Sequence, residues 1–405
     1  MELAPSPVQL KARGAAVAVT PKTHRVLAIV PSSFCYGLQN LTLAFFGKLS
    51  PAVEARFLNT RWNDGEFPRR LDALRIPHSA TWLGMFSRRL DPRNVKMTLH
   101  CLIKLPIAWW DFMRLCQRFR PDVIYLANHH EIILLWPLLL FYRHRVVCHM
   151  HDPPPAIPFQ RASFAVWRRA IGRFLFISKS VRDRTELLGP LGVRDVVIYN
   201  GVKVSPLAWP RQRDERFVRQ FGWPADSVIV GITGQMTATK GHEDFLAAAR
   251  QAATDHRLRF VIGGRPLEPM ATRLRELVRE YGLEPRVGFA DWLPSSQDFF
   301  SAVDVLVLAS RHDEGFGLVL AEAMERGAVV VSTRSGGATE IVEHGVSGLL
   351  IEKQAPVQMA DCLLRLAADP ALRGRLARAA RERIEAHFDL ARQVARFEEA
   401  LAHGH

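Results

Sequence analysis

Two doubly wound α/β domains in series are the architecture this sequence predicts, on three observations. Short β-branched apolar runs alternate with helix-length amphipathic spacers along most of the chain. The rhythm breaks once, at a proline- and charge-rich stretch, and then restarts. The chain has 405 residues, enough for two domains that each bury a full core. Strands that are apolar throughout, instead of alternating, fit parallel sheets covered by helices on both faces.

The elements follow in order. Arg25-Val-Leu-Ala-Ile-Val-Pro31 opens the first βα unit, and the runs at 53–58, 122–127, 145–150, 174–177 and 196–199 read as further strands. Helical patterns fill the gaps near 38–49, 95–119, 131–143, 160–171 and 179–189. Residues 203–226 carry Pro206, Pro210 and Pro224 in a polar context, and read as the linker between an N-terminal domain (1–202) and a C-terminal domain (227–387). Beyond it lie strands at 227–233, 258–263, 304–309, 328–332 and 348–351, with helices at 242–254, 269–281, 295–302 and 317–326. The chain closes with helical patterns at 356–368, 370–386 and 389–402, and the segment 388–405 is expected to pack back on the first domain. Such sheets bind ligands at the carboxyl ends of their strands, so two of them facing each other predict a cleft for a ligand with two unlike parts.

Composition excludes disorder, coiled coil, collagen and a disulfide scaffold. The apolar run 132–142 has eleven residues, short of the ~20 that a membrane-crossing helix requires. Residues 1–25 lack the apolar centre of a signal peptide. The five cysteines (35, 101, 116, 148 and 362) show no paired spacing, so neither a disulfide framework nor a zinc site is expected, and a reduced, cytoplasmic setting fits. The formal charge is +14, with +15 in residues 1–200 and −1 in the rest. Two readings of that excess stand: a face for an anionic partner, or a solvated basic surface.

Ser310-Arg-His-Asp-Glu-Gly-Phe-Gly-Leu-Val-Leu-Ala-Glu-Ala-Met324 is the strongest constellation. It follows a strand, and Gly315 and Gly317 bracket the turn into a helix expected to start near Gly317. A helix start offers free N–H groups and the positive end of the helix dipole, which suits phosphate. Glu314 precedes the turn and Glu322 lies eight positions on; were the stretch all helical, their separation would be ~12 Å, about the reach of a nucleotide diphosphate sugar from ribose to hexose. Carboxylates accept hydroxyl pairs well, so each acid would serve one sugar ring. Gly231-Ile-Thr-Gly-Gln-Met-Thr-Ala-Thr-Lys-Gly241 adds glycines for close backbone approach to phosphate and a mobile ammonium at Lys240. Ser335-Gly-Gly-Ala-Thr-Glu340 and His344-Gly-Val-Ser-Gly-Leu349 read as structural turns.

Together these pieces resemble the retaining, nucleotide-sugar-dependent glycosyltransferases of family four, whose GT-B fold sets two Rossmann-like domains across a cleft. The matching landmarks are Asn200-Gly-Val202, Gly234 through Lys240-Gly241, Glu314-Gly-Phe-Gly with Glu322-Ala-Met324, Gly336-Gly337 through Glu340, and Gly345 with Gly348. In the first half, His151-Asp152, Ile177-Ser-Lys-Ser180 and Gly37 look like family positions. The resemblance implies that Lys240 contacts the donor diphosphate and that Glu314 holds hydroxyls of the transferred sugar. It implies that the N–H groups of Gly315, Phe316, Gly317 and Leu318 hold sugar and phosphates, and that Glu322 takes the ribose. His151 would face the sugar across the cleft, Gly37 would let the first loop approach, and Gly234 and Gln235 would line the donor site. No metal and no other cofactor is implied. Two departures stand out: Gln235 occupies the place of a customary arginine, for which Arg265 or Arg311 can substitute, and the first loop reads Tyr36-Gly37-Leu38-Gln39, not paired glycines.

His129 and His130 suggest a metal pair or plain polar residues at a strand end, and His149, alternating with His151, is expected to face away from it as a structural residue. Residues 86–120 interleave Arg88, Arg89, Arg93, Lys96, Lys104, Arg114, Arg118 and Arg120 with Trp109, Trp110, Phe112, Leu115 and Phe119. This is an interfacial basic–aromatic surface, or a core helix with a wet basic side. The expected function is transfer of a sugar to a glycan or lipid-linked acceptor in cell-surface polysaccharide or glycolipid synthesis, on an anionic membrane surface. The alternatives are a soluble enzyme acting on a small metabolite or glycogen-like polymer, and a catalytically weak binding protein. No nucleic-acid-binding pattern is present.

Overall fold

The computed structural model describes residues 23–402 apart from 32–34, 36, 85–91, 210 and 291–295, and gives the backbone alone at 92–94, 97 and 296. Tyr36, Arg88, Arg89 and Pro210 therefore lie outside the described residues, as does the side chain of Arg93.

The first half runs β1 (His24–Val30), α1 (Gly37–Phe46), β2 (Val53–Thr60), α2 (Glu66–Ala73), β3 (His78–Thr81), α3 (Pro92–Phe119), β4 (Val123–Leu126), α4 (His130–Leu139), β5 (Val146–Met150), α5 (Pro158–Trp167), β6 (Arg173–Phe176), α6 (Lys179–Glu186) and β7 (Val196–Val197). Its seven strands form one parallel sheet in the order β3-β2-β1-β4-β5-β6-β7. After α7 (Arg216–Phe221) the second half runs β8 (Val228–Thr233), α8 (His242–Ala252), β9 (Leu258–Gly263), α9 (Met270–Glu280), β10 (Val287–Phe289), α10 (Ser296–Ala302), β11 (Val305–Leu308), α11 (Leu318–Glu325), β12 (Val329–Thr333), α12 (Ala338–Ile341) and β13 (Leu349–Ile351). Its six strands are also parallel, in the order β10-β9-β8-β11-β12-β13. The strand order reverses at β1/β4 and at β8/β11, where a doubly wound sheet opens a crevice at its strand ends. Three helices close the chain: α13 (Pro356–Ala368), α14 (Pro370–His387) and α15 (Leu390–Ala402).

The strands expected from continuous apolar runs are present. α2, β3, β10 and α12 were not foreseen; β3 and β10 are short edge strands of four and three residues. Residues 203–226 are not bare linker. They carry α7, which buries Phe217 and Val218, and Arg213 reaches the Ser227 carbonyl at 2.6 Å. The chain crosses between the halves twice, and the crossings hydrogen-bond to each other: Val202 N–H to the Phe388 carbonyl and Leu390 N–H to the Val202 carbonyl, both at 2.9 Å. Buried Arg381 of α14 donates to Glu325 at 3.0 Å and to the Ser205 carbonyl, and Glu325 accepts from Ser205 N–H at 2.9 Å. A buried pair of this kind is satisfied on both sides, so neither charge is left uncompensated.

After the second crossing, α15 lies on the first sheet. Leu390, Val394, Phe397, Ala400 and Leu401 join the core formed by β1, β2, α1 and Tyr125. Phe397 meets Phe45, Phe46 and Tyr125 edge-to-face, with ring centroids 5.2, 5.6 and 5.5 Å away. Phe397→Ala should cost about 3–5 kcal/mol, the usual range for emptying a buried aromatic site. Urea unfolding checks this; a loss under ~1 kcal/mol would mean that α15 is not integral to that core.

Candidate functional site

The site is built on the carboxyl ends of β8 and β11. Past β8 the chain makes a short turn of 3₁₀ helix, Ala238–Lys240, and enters α8 through Gly241 at φ 69°. A Cβ at Gly241 would sit 2.0 Å from the Ala309 carbonyl oxygen, so the two strand-end loops lie backbone against backbone. Arg311 N–H donates to the Thr239 carbonyl at 2.9 Å and strengthens that contact. The consequence is an ion pair: Lys240 Nζ donates to Glu314 Oε1 at 2.7 Å. Ser310 Oγ donates to the same oxygen. Burial raises the Glu314 pKa, but the charge and hydrogen bond of Lys240, with the Ser310 hydrogen bond, outweigh it and hold the carboxyl below its ordinary range.

Gly317 takes φ 99° as the N-cap of α11, which starts one residue after the expected Gly317, and no side chain caps it. Only Leu318–Glu325 is helical, so the ~12 Å figure for an unbroken helix from 314 to 322 does not apply. Phe316 is buried against Tyr199 and Phe388, with centroids 6.2 and 5.7 Å away. The Glu322 carboxylate makes no hydrogen bond or ion pair among the described residues, and burial, with the Glu325 charge, pushes its pKa up to about 7.

His151 meets this loop from the other half. Its carbonyl oxygen lies 2.5 Å from where a Cβ on Gly315 would stand. Its Nε2 is buried without a partner, and burial lowers its pKa to about 4, so the ring is neutral at pH 7. His149 does not face away from it: the ring centroids are 4.6 Å apart. In an extended chain residues two apart point to the same side, so the alternation itself brings His149 and His151 together instead of parting them. His149 is otherwise structural, bonded to the Tyr125 hydroxyl at 2.9 Å and packed on Phe45 and Phe397.

The remaining positions are less tightly gathered. Gly234 has φ 142°, and the chain after β9 lies on it: a Cβ on Gly264 would come within 2.0 Å of the Gly234 carbonyl oxygen. Gln235 is exposed beside this contact, where Met236 N–H donates to the Arg265 carbonyl at 3.2 Å. Arg311 is committed elsewhere, held by Asp244 through two bonds of 2.7 Å. Arg265 is thus the arginine adjacent to Gln235. Gly37 heads α1, and among the described residues nothing lies within 4 Å of a Cβ placed on it. His129 and His130 lie with their rings 4.1 Å apart and tilted by 35° at the start of α4, and among the described residues no group of three or more His, Cys, Asp or Glu could hold a metal. The sequence reading missed Gly264, Tyr199 and the partners of Glu340, and gave Ser310, inside its strongest run, no role; only Ser310 carried a local signal, four residues before Glu314.

Family models then match both halves: "Glycosyltransferase Family 4" over residues 86–205 and "Glycosyl transferases group 1" over 213–383. The chain belongs to this glycosyltransferase family. Among its relatives is a D-inositol 3-phosphate glycosyltransferase of Acidothermus cellulolyticus, 36% identical over 172 residues, which are 40% of this chain and 38% of that one. A protein of the same name from Corynebacterium glutamicum is 34% identical over 169 residues, 40% of each chain. The chain thus spans about two fifths of the length of the curated relatives it matches. The GT-B fold is shared with Anabaena HepE, solved with UDP-glucose, at TM-score 0.76 and 21% identity over 93% of this chain and 99% of that one. It is shared also with the sucrose-phosphate synthase of Thermosynechococcus elongatus, at TM-score 0.72 and 19% identity over 94% and 99%.

This family member also exposes large apolar side chains on α3, on the 140–145 turn after α4 and on α5. Phe112 and Phe119 are core, and Trp109 is tied inward by its Nε1–H to the Leu134 carbonyl at 2.8 Å. The outer side of α3 shows Leu99, Ile103, Ile107 and Trp110 instead, at helical spacing; Ile103 is 74% and Trp110 63% exposed. On the neighbouring elements Phe141 is 84% and Phe159 73% exposed. Exposed Lys96, Arg114, Arg118 and Arg143 stand among them. Among the described residues no helix is long and apolar enough to cross a membrane.

The unpaired Glu322 makes a sign-definite prediction. Its pKa rises from 4.5 to about 7 on folding, so folding takes up a proton between those values, and stability falls as pH climbs through that window. Glu322→Gln removes the loss. Thermal melts should show the variant gaining on wild type at pH 8 relative to pH 4; an equal difference at both would contradict the buried-carboxylate account.

Proposed function

We propose that this protein transfers a sugar, with retention of anomeric configuration, from a nucleotide diphosphate sugar to a glycan or lipid-linked acceptor at an anionic membrane surface. The observation that carries the donor half is the Lys240–Glu314 ion pair beside the uncapped start of α11. A bound donor would replace this pair: Lys240 turns to the diphosphate, and Glu314, already ionised, accepts from sugar hydroxyls. N–H groups at the α11 start take phosphate oxygens, and Glu322 accepts from the ribose diol. The neutral His151 ring offers one further hydrogen bond from across the seam. The acceptor oxygen bonds to the anomeric carbon on the face that the diphosphate leaves; the carbon–phosphate oxygen bond breaks, and the leaving oxygen takes the acceptor proton. The growing charge on the leaving group is what Lys240 and the helix start stabilise. This route uses no metal.

The acceptor half rests on the outer face of α3. Apolar side chains at helical spacing, rimmed by cations in the half that carries +15, suit the interface of an anionic bilayer. A lipid-linked acceptor fits there. The names of the curated relatives favour a second reading, a small phosphorylated polyol as acceptor.

Four measurements decide. Thermal-shift screening with UDP-, GDP- and ADP-sugars should give stabilisation with one base; UDP-sugars come first because HepE holds UDP-glucose. Glu314→Gln should lower turnover at least ~100-fold with the melting temperature held, the scale seen when one transition-state contact is removed. Gln235→Arg should tighten donor binding if the missing guanidinium matters; an unchanged constant would mean that Arg265 already serves. For the acceptor, wild type should sediment with phosphatidylglycerol vesicles at low salt, and the joint change Ile103→Ser with Trp110→Ser should abolish this while donor affinity stays. A protein that ignores vesicles at low salt and glycosylates a soluble inositol phosphate would overturn the membrane reading.

A further inference from the structure

Glu340 belongs by its backbone to the second half and by its carboxylate to the first. Arg383 of α14 fixes the backbone, donating to the Glu340 carbonyl at 2.9 Å and to the Ile341 carbonyl at 2.7 Å. The side chain crosses the seam. Its oxygens accept from Lys179 N–H at 2.9 Å, Ser180 N–H at 2.8 Å and the Tyr199 hydroxyl at 3.0 Å. The two amides are the first of α6, where unmet N–H groups and the positive dipole end favour an anion.

The same helix end grips the loop that carries Glu314. Ser178, the N-cap of α6, accepts from Val181 N–H at 3.1 Å and donates its hydroxyl to the Gly315 carbonyl at 2.6 Å. From the other side, Gly337 N–H donates to the Glu314 carbonyl at 2.9 Å, and a Cβ on Gly337 would lie 2.5 Å from the Gly315 carbonyl oxygen. The start of α6 therefore holds Gly315 and Glu340 at once, while the turn into α12 holds Glu314 and, through Glu340, α6. Tyr199 links this to the paired crossings, since its ring packs on Phe388 at 5.3 Å and on Phe316 at 6.2 Å.

We propose that Glu340 is a positioning residue, a latch whose carboxylate docks on the N-terminus of α6, closes the two halves, and thereby sets the Glu314–Leu318 loop for sugar transfer. The kinetic consequence rests on the transfer reading above; the closure itself does not.

The test uses the full-length protein with spin labels on the exposed residues Arg194 of the first half and Arg279 of the second, read by pulsed electron resonance without ligand. Glu340→Gln keeps the shape and removes the charge, and it should broaden and lengthen the interdomain distances. Turnover with the sugar nucleotide that stabilises wild type should fall ~10-fold or more, while affinity for the free nucleotide diphosphate changes less than ~3-fold, because that contact set lies within the second half. Unchanged distances would overturn the latch, and longer distances with wild-type turnover would overturn the positioning role. Should Glu340→Gln melt far below wild type, Tyr199→Phe, which keeps the ring packing and deletes one of the three bonds, should give a smaller opening, and no opening there overturns the proposal. A wild type that transfers no sugar while Glu340→Gln still opens would count against the transfer reading and for the latch.

Discussion

At Gly315 the two halves meet backbone on backbone, with the His151 carbonyl oxygen standing 2.5 Å from where any side chain would begin. Everything in the site depends on that approach. A residue with a Cβ would force the β11 loop off β5, and the loop could not then receive the Ser178 hydroxyl on its Gly315 carbonyl. Because the loop is seated there, Glu314 is turned toward Lys240, whose own placement needs the equally close contact of Gly241 with the Ala309 carbonyl. Side chains with charge are thus positioned by main-chain contacts that tolerate little variation.

Within that frame, two carboxylates eight residues apart are pushed in opposite directions. Glu314 is largely buried, yet Lys240 and Ser310 keep it ionised. Glu322 has no partner, and burial drives its pKa to about 7. A buried carboxylate without a partner subtracts from stability, and opposed shifts of neighbouring acids cluster where a ligand completes the charge balance. The pattern fits a donor that meets Glu322 through neutral hydroxyls, which satisfy the carboxylate without adding a second anion. In the proposed reading Lys240 and the α11 start then remain for the phosphates.

Legibility in the sequence followed the range of the contacts. The buried strands β1, β4, β8, β11 and β12 were readable because a parallel strand covered on both faces is apolar along its length. β3 and β10, short and at the sheet edges, left no such run. In the site, the run from Ser310 to Met324 was readable because strand, turn and helix start are adjacent in the chain. Lys240 was placed by the same logic. The pairing of Ser178 with Gly315 and of Glu340 with Lys179 spans 137 and 161 positions, and no local spacing encodes it. The turn around Gly336 and Glu340 was read as structural, which misses that its acid leaves its own half. The basic–aromatic stretch divides between its two readings: Phe112 and Phe119 lie in the core, and the exposed stripe is made of Leu99, Ile103, Ile107 and Trp110. Exposure on a helix depends on which neighbour covers it, and that is settled by α4.

The uneven charge of the chain separates two kinds of binding. The second half is near neutral in net charge, so in the proposed reading donor affinity comes chiefly from short contacts at Lys240 and the helix start. Those lie partly buried and are weakly screened by salt. The first half carries the whole positive excess, and four of its exposed cations, Lys96, Arg114, Arg118 and Arg143, lie on the same elements as exposed Ile103, Trp110 and Phe141. Interactions there act over a Debye length of ~10 Å at 0.1 M salt and fade above it. In the proposed reading ionic strength therefore divides the molecule: association of the first half with an anionic surface should weaken as salt rises, while nucleotide binding by the second half holds. A protein whose two halves obey different electrostatic rules needs a contact that reports one to the other. The Glu340 carboxylate on α6 is a short, local bond of that kind, placed directly behind the loop where the proposed chemistry occurs.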